Sequence, residues 1–429
     1  MKGKIMQIRK KVALWTSFRS ADFAYSLNRV VQDQIKMLLF GGYEITVFVA
    51  AGFQPIEAYA LPGVKLFYLP DVSTSNEGIL PEGWEKDVEN YSRELAIGLA
   101  DIDVVLTHDL ISQPAHLIHN LAARHVASQY SDLRWLHWVH SVFSSNMASN
   151  IQEASKKGRE RFPNSFLVFP NSYDIPRLAQ NFKYEETDIK WIPHPTDIEE
   201  FFGMNEISRK FIREKKLLEV DVVLVFPCRL DRGKQPHFLV ELAGAIKRNG
   251  KTVKVIFMDF HSTGGDKVVY REEMKIQAKE LGVENDILFF SEFDEKYKYE
   301  APHEVVRDLM LISNVFMLPS RSETYSLITQ EAILCGNFII LNQDFAPFRS
   351  IFGDLPKYFQ FSANIGMNGF DGNTETQYGD KKAYFDGIAA YISYMITFDK
   401  VLALKTKIRK ERNIYSVYNN YLKPLLYGE

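Results

Sequence analysis

The stretch PSRSETYSLITQEAILCG, residues 319–336, sets Glu331 inside an apolar helical pattern. With a helix running from about residue 326, Leu327 lies four residues before Glu331 and Leu334 three after it, so the three side chains share one face. That face is expected to be buried. A carboxylate buried alone costs several kcal/mol, so Glu331 needs a cationic or hydrogen-bonding partner in the protein, or a ligand that brings donors. Immediately upstream, VFMLPS reads as a strand and RSETY as a turn, and a strand–turn–helix unit belongs to α/β grammar.

Outward from this unit the same grammar recurs. KVALWTS, EITVFVA, VKLFYLP, DVVLTHD, LRWLHWVHS and FLVFPNS in the first half, and DVVLVFPCR, VKVIFMDF, DILFFSE, VFMLPS and FIILNQ in the second, are short apolar runs separated by amphipathic stretches. Several are continuously apolar, as parallel strands covered by helices on both faces must be. The pattern breaks at KWIPHPTDIEEFFGMNEISRKFIREKKLLEV, where a Pro-flanked turn leads into a charged helix, and this places a linker near 196–216. The expected organisation is therefore two doubly wound lobes, over about 1–200 and 216–409. Ile414, Val417, Tyr418, Tyr421, Leu422 and Leu425 form one apolar helical face that docks on one of the lobes. The Gly- and Asn-rich segment 363–382 reads as a long surface loop.

Composition bounds the function. The chain has 429 residues, 46% hydrophobic and 24% charged, which is a folded protein of two or three domains. No run reaches the ~18 apolar residues of a membrane span, and MKGKIMQIRKKVALWTS has no signal-peptide cleavage pattern, so a cytoplasmic location is expected. The formal charge of −3 gives no general attraction for nucleic acid. The basic segments KGKIMQIRKK and KTKIRKER read as solvated surface, with weak contact to a membrane surface as the alternative. Cys228 and Cys335 are far apart, sit among apolar residues and read as core thiols.

Two turns carry cations or open amides where an anion would bind. FPCRLDRGK puts Arg229 at the end of a strand and Lys234 just before a helix, with Gly233 allowing close backbone approach. At the start of the 326–336 helix, the amides of Tyr325, Ser326 and Leu327 are placed to receive a phosphate. Glu331, further along, suits sugar hydroxyls, and Glu323 in the turn reaches a second sugar. There is no P-loop, GxGxxG or HExxH. DIDV at 101–104 precedes a strand and does not read as a metal site.

Glu323 and Glu331 within PSRSE…EAILCG resemble the acidic motif of the large retaining glycosyltransferase family four. RLDRGK is similar to the family's phosphate-binding turn, WIPHPTDIEEFF to its linker and ERNIYSVYNNYLKPLLY to its closing helix, in order, from about residue 11 to 427. The resemblance implies the GT-B fold: two facing Rossmann-like lobes with the donor in a deep cleft, the last helix (about 410–429) returning to the N-terminal, acceptor-side lobe. It also implies that Arg229 and Lys234 neutralise the donor diphosphate, Thr324 to Leu327 contribute backbone there, Glu331 holds the ribose, and Glu323 and His140 meet the transferred sugar as catalytic residues. The sequence departs from the family at TSFRSADFAY, which lacks the usual Gly-Gly and leaves Arg19 or Ser20 in that phosphate or acceptor loop. It departs again at Thr324 and Ser326 in place of glycines, at His194-Pro195-Thr196, and at MDFHSTGGD.

The resulting expectation is a retaining, metal-independent transferase that moves a sugar from a nucleotide-diphosphate donor and uses no further cofactor. UDP, GDP and ADP are not distinguished, and the acceptor, whether glycan, lipid, protein or nucleobase, is not written in the sequence. A sugar epimerase or phosphorylase on the same fold, or a two-lobe sugar-binding module without chemistry, are the alternatives.

Overall fold

The computed structural model describes residues 11–22, 25–73, 79–140, 153–227, 229–260, 267–321, 323–361 and 380–427. Expectations for Cys228, for the HSTGGD turn, for the N-terminal basic segment before Lys11 and for most of the 363–382 loop fall outside these residues. The chain forms two compact units, Met1–Thr196 with Ile414–Glu429, and Asp197–Asn413.

The first unit is a seven-stranded, all-parallel sheet in the order β3-β2-β1-β4-β5-β6-β7. Its strands are β1 (Lys11–Trp15), β2 (Glu44–Ala50), β3 (Val64–Leu69), β4 (Val104–His108), β5 (Arg134–Trp138), β6 (Ser165–Phe169) and β7 (Ile189–Trp191). The second unit holds six parallel strands in the order β10-β9-β8-β11-β12-β13. These are β8 (Val222–Phe226), β9 (Val253–Phe257), β10 (Ile287–Phe289), β11 (Val315–Leu318), β12 (Phe338–Asn342) and β13 (Lys357–Phe359). The continuously apolar runs form the central strands: all of VVLVF in β8 and VFML in β11 is buried, as a sheet with helices on both faces demands. Both doubly wound sheets stand as the sequence leads one to expect. In each, the strand order reverses once, between β1 and β4 in the first and between β8 and β11 in the second.

Of the segment near 196–216, expected as a linker, Ile198–Phe201 and Glu206–Glu214 form helices within the second unit. Asp197 caps the Ile198–Phe201 helix, and Asn205 caps Glu206–Glu214. The Glu199 carboxylate, almost fully buried, is held by Arg213, and the Asn205 N–H donates to Asp308 at 2.8 Å. The C-terminal segment belongs to the first unit. Ile414, Val417, Tyr418, Leu422, Leu425 and Leu426 join the core cluster of Val12, Leu14, Val31 and Leu38, with Tyr421 half-buried against it. Gly41, which ends the Ser26–Phe40 helix, is needed here, because a Cβ would collide with the Tyr418 ring. Cys335 is half-buried beside Lys405, at the end of its helix rather than in the core. Among the described residues no single helix is long and apolar enough to cross a membrane.

Candidate functional site

Open parallel sheets bind ligands outside the carboxyl ends of their strands, where the strand order reverses. In the second unit that point is formed by the turns after β8 and β11. They are joined by backbone and amide hydrogen bonds: the Arg321 N–H donates to Gly233 O at 2.9 Å, and buried Gln235 donates through Nε2 to Pro319 O at 2.6 Å. This places Lys234, from the first turn, in an ion pair with Glu323, from the second. Both side chains are largely covered, at 19% and 12% exposure. Two residues that the sequence reading gave separate tasks thus share one contact.

Arg229 is half-exposed and directs Nε toward Asp231 of its own turn, at 3.4 Å. Two further cations lie here that the sequence reading left without a role. Arg232 donates to both oxygens of Glu273 at 2.9 Å and lies 4.6 Å over the Tyr270 ring. Burial lowers the neighbouring His237 to a pKa of about 4, helped by the charges of Lys381, Arg321 and Arg232. The letters RLDRGK and PSRSE contain Arg232 and Arg321; only the contact between the turns puts them in one place.

Ser326 precedes the Leu327–Leu334 helix with φ of 65°, in the left-handed region where glycine is comfortable and other residues pay for the proximity of Cβ. Its hydroxyl pairs with that of Thr329 at 2.7 Å. At this departure from the expected pattern the backbone has a conformation that favours glycine, and a side-chain hydrogen bond accompanies the serine. Thr324 and Tyr325 are exposed in the turn before it.

The Leu327–Glu331–Leu334 face corrects the expectation of burial. Leu327 is 69% and Leu334 87% exposed, while the helix sets Thr329 and Ala332 against the sheet. The three residues do share a face, as their spacing requires, but the positions of this helix that are buried are Thr329 and Ala332, and that face is turned outward. Glu331 is therefore no stranded core carboxylate. About one-third of its side chain is exposed, and its partner is His303, 3.2 Å away and itself 72% exposed.

In the first unit the corresponding point lies after β1 and β4. Arg19 and Ser20 line a cavity of about 420 Å³ together with Tyr25, His108, Asp109 and His116. The Arg19 guanidinium lies 3.2 Å from Asp71, both well exposed. Asp109, directly after β4, adopts φ of 57° and is nearly buried. It accepts from the His140 N–H at 2.9 Å and from Ser112 Oγ at 3.0 Å, and burial holds its carboxyl above the usual range.

His140, two residues beyond β5, is flanked by two other histidines. His108 Nδ1 lies 3.0 Å from His140 Nε2 and the rings stack with centroids 5.3 Å apart; His194 stacks on His140 at 5.4 Å. Burial pushes all three rings toward the neutral form, His140 and His194 to a pKa of about 4 and His108 well below its ordinary value. Neither His108 nor His194 was identified from sequence as a site residue. The available signal was that each of the three follows an apolar run, in DVVLTHD, LHWVHS and WIPHP.

Residues 208–359 match the model of the family described as glycosyl transferases group 1. No curated protein matches the chain in sequence. Among solved structures, HepE of Anabaena in complex with UDP is 12% identical, covering 98% of this chain and 100% of that one with a TM-score of 0.36. A glycosyltransferase from Rickettsia africae is 15% identical, with 98% and 96% covered and a TM-score of 0.33. Sucrose-phosphate synthase from Thermosynechococcus elongatus is 14% identical, with 98% of each chain covered and a TM-score of 0.36. At these scores the structural likenesses carry no argument about the site. The family match rests on sequence, lies within the second unit and encloses Arg229, Lys234, Glu323 and Glu331.

Proposed function

We propose that the chain is a retaining glycosyltransferase of family four that takes its sugar from a nucleotide-diphosphate donor and needs no metal. The observation that supports this best is the junction of the turns after β8 and β11. It sets the Lys234–Glu323 pair, with Arg229 on the same turn as Lys234, at the reversal point of the second sheet.

The leaving group in such a transfer is a nucleoside diphosphate, and negative charge builds on its oxygens as the glycosidic bond breaks. Cations fixed in place before the reaction stabilise that charge without reorganising. Arg229 and Lys234 have this role, and the positive end of the Leu327–Leu334 helix adds to it. Glu323, tied to Lys234, is positioned to accept hydrogen bonds from the sugar. Glu331, carried on an accessible helix face, accepts from the ribose hydroxyls. In the first unit, His140 meets the transferred sugar, and the cavity bounded by Arg19, Ser20 and Asp109 takes the acceptor. The departing phosphate accepts the proton of the acceptor hydroxyl on the face from which it leaves, which retains the anomeric configuration.

A thermal-shift screen against UDP, GDP, ADP and CDP and their sugars tests the donor half without an acceptor. One nucleoside diphosphate is expected to raise the melting temperature well above its nucleoside. Stabilisation by no member of the panel, or equal stabilisation by nucleoside and nucleoside diphosphate, contradicts the reading. Activity is expected to persist in excess EDTA; loss that manganese restores overturns the metal-free assignment.

A further inference from the structure

We propose that Gln34 and His108 are positioning residues that hold His140 as its Nε2–H tautomer, so that Nδ1 is presented as a hydrogen-bond acceptor to a ligand hydroxyl. This rests on the reading that His140 meets the transferred sugar.

Gln34 sets the proton positions. It lies on the Ser26–Phe40 helix and is only 2% exposed, so its amide must be hydrogen-bonded. Its Oε1 lies 2.9 Å from His108 Nε2, and His108 is also 2% exposed. A carbonyl oxygen only accepts, so His108 Nε2 carries the proton. A neutral imidazole has one N–H, which leaves His108 Nδ1 with a lone pair. His140 Nε2, 3.0 Å from that lone pair, must then be the donor. The remaining nitrogen of His140, Nδ1, carries the second lone pair and has no hydrogen-bond partner among the described residues.

The rest of the surroundings hold this arrangement in place. Burial favours the neutral form of both rings, which is the condition for the proton count. Asp109 accepts from the His140 backbone N–H, and the His194 ring stacks on the His140 ring. Gln34 therefore sets the direction of the chain of hydrogen bonds. Without its carbonyl, His108 Nε2–H would be buried without an acceptor, which is costly. The opposite arrangement, with protons on Nδ1 of both rings, becomes the better one.

The test is a two-bond proton–nitrogen correlation spectrum of the full chain labelled with ¹⁵N-histidine at neutral pH, the His140 signal being identified by its absence in His140→Asn. The expected wild-type result is the Nε2–H tautomer at His140. In Gln34→Leu the signal should move to the Nδ1–H form, and hydrolysis of the donor found in the nucleotide screen should fall about tenfold while nucleoside-diphosphate affinity stays the same. An Nδ1–H tautomer in the wild-type chain overturns the proposal even if Gln34→Leu does not fold. A folded Gln34→Leu variant with the wild-type tautomer also overturns it. The expected tautomer shift with unchanged hydrolysis supports the relay and overturns the assignment of His140 to the sugar.

Discussion

Replacing Lys234 with alanine removes a cation that has two tasks in this account, and the two can be measured separately. In the apo protein its partner is Glu323, whose side chain is 12% exposed. Deleting one member of a fully buried pair costs about 3–5 kcal/mol, because the remaining charge has lost both water and counter-charge. Partial exposure of this pair places it at the lower end, about 3 kcal/mol. For a unit of about 200 residues each kcal/mol lowers the melting temperature by roughly 2–4 °C, so Lys234→Ala should melt roughly 6–12 °C early. Neutralising the abandoned carboxylate in Lys234→Ala/Glu323→Gln should restore most of that loss. Binding reads the second task. One charge-assisted hydrogen bond to phosphate is worth about 1.5–3 kcal/mol, so affinity for the nucleoside diphosphate should fall about tenfold to a hundredfold, and affinity for the nucleoside should not change. Calorimetric melting and titration calorimetry on the same preparations supply both readouts. Equal losses for nucleoside and nucleoside diphosphate would make Lys234 a structural residue, and unchanged melting would refute the ion pair.

Glu331→Gln should fold normally, because a contact with a 72% exposed histidine is worth at most about 1 kcal/mol. Donor affinity should fall by at least about tenfold, and early melting with normal donor binding would contradict the ribose assignment. Truncation before Ile414 removes six buried side chains from the core of the first unit, worth on the order of 10 kcal/mol at about 1.5–3 kcal/mol each. The truncated chain should lose cooperative melting of that unit; unchanged melting and activity would show the segment to be dispensable. Acid should also destabilise the first unit. His119 and His137 are held by burial at a pKa of about 3, whereas in the unfolded chain they titrate near the ordinary value of 6.5. The unfolded state therefore binds more protons between those values, and stability falls as pH drops below 6.5. Each such histidine contributes a loss of about 2 kcal/mol between pH 7 and pH 5, visible as an earlier melt, and equal melting at the two values would contradict the neutral buried rings.

Much of the fold was legible because its signal is local. Runs such as VVLVF and VFML declare strands covered on both faces, and the spacing of Ile414, Val417, Tyr418, Leu422 and Leu425 declares one buried face. The Leu327–Leu334 helix shows the limit of such patterns. Leu327, Glu331 and Leu334 lie on one face, but only packing decides whether that face meets the sheet, and here Thr329 and Ala332 do. The site was legible as types of residue at strand ends, and its contacts were not. Lys234 and Glu323 are separated by 89 positions and meet because β8 and β11 are neighbours across the reversal of strand order. His108 and His140 are 32 positions apart, and their contact follows from the pairing of β4 with β5. Gln34 was harder still to find, since a buried glutamine on an amphipathic helix looks like any polar residue until its partner is known.

Release of nucleoside diphosphate tests most directly whether this chain cleaves a nucleotide-diphosphate sugar. Purified protein is incubated with UDP-, GDP-, ADP- and CDP-sugars without acceptor, and the products are quantified over hours. Slow release from one donor is expected, reduced in Lys234→Ala and abolished in Glu323→Ala. A protein that binds a nucleotide sugar and returns it intact under every condition, with acceptor mixtures included, would contradict it.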